Sequence, residues 1–95
     1  MIIAAISVCR MPRDPQPDWV HDYRRAVGAR IRALRMEANR PQTWVCEATG
    51  VDRTTFQRIE SGRSDPRLGD LALIADALDT SVAELTRSTS GRPPQ

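Results

Sequence analysis

The segment from Gln42 to Gly62, QTWVCEATGVDRTTFQRIESG, holds the side chains best suited to chemistry in this chain. With Arg53 set at zero on a helical wheel, Phe56 and Ile59 fall near 300° and 240°, while Arg53, Gln57, Ser61, Thr54 and Arg58 fill roughly 0° to 140°. One face packs and the opposite face stays free. That free face offers guanidinium, amide and hydroxyl groups, the types that hydrogen-bond base edges in the major groove of duplex DNA.

Other chemistries lack their parts. His21 is the single histidine, and Cys9 and Cys46 are the two cysteines, so neither a metal-ligand cluster nor a disulfide framework can be assembled within one chain. No nucleophile, base and orienting partner occur together, so neither an enzyme nor a cofactor is expected. His21 reads as a solvated residue in a first helical turn, Cys9 as a free thiol on a mobile arm, and Cys46 as a small buried side chain where two helices cross. A reducing, cytoplasmic setting follows, and the apolar opening Met1 to Cys9 is far shorter than the ~20 residues of a membrane span.

The elements that must position the free face are helices. Ninety-five residues leave room for one small domain of ~60 to 70 ordered residues, and 40% apolar content with four aromatics favours an aliphatic helical core. Three prolines between Pro12 and Pro17 mark a linker, so residues 1–17 read as a flexible extension. The apolar nonapeptide within it is an extension, an artefact of a true start at Met11, or a strand that pairs in a dimer.

Asp18 is placed to cap a first helix whose apolar positions Val20, Tyr23, Val27, Ile31, Leu34 and Ala38 fall within about 80° of arc, ending near Asn39 to Pro41. A second helix runs from Gln42 to Thr49 and stops at Gly50. A third is capped by Asp52 and runs through Ser61, with Gly62 as its stop. Leu71, Ile74, Ala75 and Leu78 share one face of a fourth, about Leu68 to Leu78. Ser81 with Glu84 forms a capping-box signature for a fifth, reaching about Arg87. The domain is expected over residues 18–87, with a disordered tail at 88–95. This is a compact all-α, five-helix bundle.

Charge is asymmetric along the chain. All 14 basic residues are arginine; residues 1–64 carry 11 of them against 7 acids, and the rest 3 against 5. A basic front portion is compatible with an anionic partner, and Arg24, Arg25, Arg32 and Arg40 would add diffuse attraction for phosphates.

From about Val27 to Arg87 the sequence resembles the helix-turn-helix family of Cro and the phage repressors, also called the xenobiotic-response-element family. VGARIRALR, the Gln42 to Gly62 core, DPRLGDLALIADAL and SVAEL carry the resemblance, in that order. It implies a lambda-repressor-like fold with the third helix in the major groove, which sets Arg53, Thr54, Gln57 and Arg58 over bases. It also implies that Gln42 holds a phosphate and that Arg35 and Glu60 tie the first helix to the third. Arg63 and Arg67 are expected to hold further phosphates.

Thr49, Trp44, Pro41 and Asp79 depart from the family pattern: Thr49 stands for a larger aliphatic, Trp44 for a polar residue, and Asp79 for a glycine. Trp44 either packs over the first helix or stands exposed as a partner anchor.

The expected function is a transcriptional regulator that binds a roughly palindromic operator as a homodimer, with Leu73 and Val82 at the dimer contact. The alternative is an antitoxin-like protein that neutralises a partner protein and binds DNA for autoregulation.

Overall fold

Apolar side chains recurring every three or four residues roll the chain into helices that bury a shared stripe. The computed structural model describes residues 16–87. The expectations for Met1–Cys9, the Cys9 thiol, a start at Met11 and the 88–95 tail lie outside those residues. The described part is all-α: α1 (Asp18–Glu37), α2 (Gln42–Thr49), α3 (Arg53–Glu60), α4 (Leu68–Ala77) and α5 (Val82–Leu85). Helix α1 packs on α3 and α5, α2 on α3 and α4, and α4 on α5.

At the centre sit Ile31 of α1, Val45 of α2, Phe56 and Ile59 of α3, Ile74 of α4 and Leu85 of α5, each almost wholly buried. Each helix thus gives its apolar face to one core. Two expectations for α1 need correction. Asp18 is the first helical residue rather than the cap, because the extended Pro17 already turns the chain, its carbonyl accepting from Val20 N–H at 3.0 Å. Ala38 is exposed, because the helix ends at Glu37 and Asn39 takes a φ of 56°, a conformation asparagine tolerates.

The ends of the later helices follow local rules. Asp52 accepts from Thr55 N–H at 3.0 Å and Ser81 Oγ accepts from Glu84 N–H at 3.1 Å. Helix α3 ends one residue earlier than expected, with Ser61 as its C-cap, and α5 ends at Leu85 rather than near Arg87. Four residues cannot hold a helix alone. Arg30 of α1 donates to the carbonyls of Glu84 at 2.9 Å and Arg87 at 3.2 Å, and Tyr23 donates its hydroxyl to Thr86 at 2.5 Å. These bonds satisfy the carbonyl end of α5 from outside.

Helices α1 and α3 approach closely at the buried Gly28. A Cβ there would stand 2.3 Å from the Ile59 carbonyl oxygen and 2.6 Å from that of Glu60, so only glycine lets the backbones meet. Near the same crossing Arg35 grips Glu60 in a forked contact, Nε to Oε2 at 2.7 Å and Nη2 to Oε1 at 3.2 Å. The two side chains are 12% and 5% exposed. A charge pair so shielded from water is costly to break from one side.

Two outcomes follow from this crossing. Gly28→Ala should lower the urea midpoint by an amount equivalent to ~1 to 3 kcal/mol, because a backbone clash outweighs the gain of at most ~1 kcal/mol in helix propensity. An unchanged or higher midpoint contradicts the close approach. For the ion pair, a double-mutant cycle on Arg35→Met and Glu60→Gln should give a coupling above ~1 kcal/mol, and coupling indistinguishable from zero contradicts the buried pairing.

Candidate nucleic-acid interface

Helices α2 and α3 stand at a turn of three residues, Gly50, Val51 and Asp52. Gly50 takes a φ of 78°, and the buried Val51 pins the turn to the core. Thr49 explains its own departure from the family pattern: its hydroxyl donates to the Val45 carbonyl at 2.7 Å and accepts from Val51 N–H at 3.2 Å. A larger aliphatic could do neither. Asp52 then fixes the start of α3 through both the backbone N–H and, at 2.6 Å, the hydroxyl of Thr55. These bonds from Thr55 hold the Asp52 carboxyl below its ordinary range.

With Phe56 and Ile59 buried, the other side of α3 faces solvent: Arg53, Thr54, Gln57, Arg58 and Ser61 are all exposed. Thr54, Gln57, Arg58 and Ser61 line a shallow concavity of about 320 Å³ together with Arg63. Arg63 is brought there because its N–H bonds to the Arg58 carbonyl at 2.9 Å, wrapping the chain back past the helix end. Arg53 is exposed one turn earlier. Gln57 and Ser61 also border a second concavity of about 300 Å³, shared with Arg32, Arg35, Gln42 and Glu60.

Gln42 is less free than its expected phosphate role suggests. Its Nε2 donates to Glu60 Oε1 at 2.9 Å, and its Oε1 accepts from Gln57 Nε2 at 3.4 Å. The amide retains one N–H for an outside partner, and at the first turn of α2 its backbone N–H has no carbonyl within the helix to reach. Arg67 is exposed at the N-cap of α4. It lines a separate concavity with Gly50, Val51, Asp52, Thr55 and Asp70, where its charged neighbours are acids.

Several basic residues expected to attract phosphate are engaged by partners within the chain. Arg24 donates to Gln16 at 3.0 Å and to Asp65 at 3.3 Å, and its Nη2 meets Nδ1 of His21. His21 is accordingly half-buried rather than solvated, since an arginine can only donate and the imidazole nitrogen must accept. Arg25 pairs with Asp22. Arg40 lies 4.1 Å over the ring of Trp44, which packs partly buried against the core. Trp44 is thus partly buried on the core rather than fully exposed. Cys46 is half-buried rather than buried, and desolvation pushes its thiol pKa up, away from reactivity.

Among the described residues no group of three or more His, Cys, Asp or Glu could hold a metal ion, and no helix is long and apolar enough to cross a membrane. Sequence reasoning had credited Arg32 only with diffuse attraction and had missed Gly28. Arg32 is exposed, and no carboxylate stands three or four residues from it along α1.

Residues 26–87 match the helix-turn-helix domain family. The chain is also 34% identical over 59 residues to the cryptic phage CTXphi transcriptional repressor RstR of Vibrio cholerae serotype O1. That alignment covers 62% of this chain and 53% of the relative, so the chain spans about half of that repressor's length. No solved structure matches. The matched residues run from within α1 to the end of α5 and include the exposed face of α3; the chain belongs to the helix-turn-helix family, of the Cro and phage-repressor type.

Proposed function

We propose that this protein is a sequence-specific DNA-binding transcriptional regulator that sets α3 into the major groove of a roughly palindromic operator as a homodimer. One observation carries the reading: the exposed face of α3 gathers Arg53, Thr54, Gln57 and Arg58 over a packed opposite face, with Arg63 alongside. Guanidinium forks suit guanine, amides suit adenine, and hydroxyls suit either. The similarity to a phage repressor supports regulation as the outcome of binding.

In this reading Arg53, Thr54, Gln57 and Arg58 read bases, while Arg63 and the start of α2 at Gln42 hold phosphates. Arg67 is left out of the contact set, because its surface is shared with Asp52 and Asp70 instead. The dimer is proposed through the α4–α5 end, where Leu73 is 48% exposed. Val82, partly buried on the core, contributes an edge rather than a free face. Joining two copies there would set the two α3 helices about one DNA turn apart, ~34 Å.

Selection of bound sequences from a random duplex pool tests base reading. Arg58→Ala should relax preference at one base position of each half-site, a loss of ~1 to 3 kcal/mol in discrimination. Arg63→Ala should weaken all sequences alike and lower the slope of log affinity against log salt by ~0.9 per subunit, while Gln42→Ala should weaken binding with the slope unchanged. An intact base-preference profile in Arg58→Ala overturns the assigned orientation of α3. Sedimentation at micromolar concentration should show a dimer on operator DNA; a monomer both with and without DNA overturns the dimer.

A further inference from the structure

The arginines among the described residues divide into two sets. Arg24, Arg25, Arg35 and Arg87 each pair with a carboxylate, Arg30 binds the carbonyl end of α5, and Arg40 covers Trp44. Among the described residues Arg32, Arg53, Arg58, Arg63 and Arg67 have no ion pair and no side-chain hydrogen bond. Three of these, Arg53, Arg58 and Arg63, belong to the face already assigned to DNA. Arg67 sits among acids. Arg32 remains, an exposed cation on α1 rather than on the helix-turn-helix itself.

We infer that Arg32 forms a second phosphate-binding site beside α3, on the other side of the Gln57–Ser61 edge from Arg63, so that the DNA backbone is gripped along both borders of that helix. This rests on the proposed entry of α3 into the major groove. Arg32 lines the concavity containing Gln42 and Glu60, and Arg63 the concavity containing Thr54 and Arg58; Gln57 and Ser61 are common to both. A helix lying in the major groove has a sugar-phosphate strand along each border, and a cation on each border answers both strands.

Charge accounting within the concavity favours an anion. Glu60 is its one carboxylate, and both its oxygens are taken, Oε2 by Arg35 and Oε1 by Arg35 and Gln42. Glu60 and Arg35 cancel, which leaves the charge of Arg32 uncompensated. Along α1 the residues three and four positions away are Gly28, Ala29, Arg35 and Met36, so no neighbour on its own helix can neutralise it. A planar guanidinium and the remaining Gln42 N–H offer the fork and donor that a phosphodiester accepts, while the Ser61 hydroxyl already donates to the Arg58 carbonyl at 3.2 Å.

The test uses the full chain on its selected operator. Arg32→Gln should leave the thermal midpoint and the base-preference profile as in the unsubstituted protein, yet lower the slope of log affinity against log salt by ~0.9 per subunit, and Arg32→Lys should keep the slope. Single neutral methylphosphonates placed in turn along one half-site locate the contact: at one phosphate the substitution should weaken the unsubstituted protein and leave Arg32→Gln unaffected. An unchanged slope in Arg32→Gln, or methylphosphonate penalties equal in both proteins at every position, overturns the inference. If Arg58→Ala relaxes base preference while Arg32→Gln changes nothing, this inference alone fails; if the unsubstituted chain binds no duplex, the proposed function fails with it.

Discussion

The carboxylate of Glu60 is the constraint on which the arrangement of the first three helices turns. It stands at the last residue of α3, where the helix dipole disfavours a negative charge, and its side chain is almost shielded from water. Left alone it would be unstable there. Arg35 from α1 and Gln42 from α2 supply three donors to its two oxygens, so the site is tolerable only when all three helices are in register. The apolar core around Phe56 and Ile31 contributes more free energy, but contacts between methyl groups have little direction. Hydrogen bonds to a charged group specify the rotation of α3, and with it which residues face outward.

Two consequences of that registration run in opposite directions through the fold. Inward, the α1–α3 crossing tightens until only Gly28 fits, and Gly62 lies buried against Arg25 of α1. Outward, Gln57 is tied through Gln42 to the same carboxylate. Helix α1 also supports the far end of the molecule, since Tyr23 and Arg30 satisfy carbonyls at and beyond α5. A single long helix therefore acts as the frame, and its arginines are spent mostly on internal partners, with Arg32 the exception.

What sequence reading could reach follows from the range of the interactions involved. The five helices, the stop at Gly50 and the caps at Asp52 and Ser81 were legible because periodicity and capping act within four residues. The end of α1 was not: Ala38 continues the apolar period, yet the period says nothing about where the partner helices stop. Likewise the half-burial of His21 depends on Arg24, which in turn is held by Asp65, forty-one residues along the chain. The close crossing at Gly28 is a tertiary fact, since a glycine inside a helix looks locally like a weakness. Arg63 and Arg67, both expected at phosphates, line different concavities, a separation set by the turn between α3 and α4 that no local pattern displays.

The outward face itself contains two kinds of side chain, and the difference bears on how it could discriminate among bases. Gln57 donates to Gln42 at 3.4 Å, a long, exposed contact that biases its side chain toward one position. An amide so biased loses less freedom on meeting a matching base edge. Arg53 and Arg58 carry no such tether, and each must give up freedom on the order of 2 kcal/mol to become fixed. Their long stems let them search for a guanine or settle on a phosphate instead. The face of α3 therefore combines one side chain tied to the fold through Gln42 with two long cations, Arg53 and Arg58, that have no hydrogen-bond or ion-pair partner within the described residues.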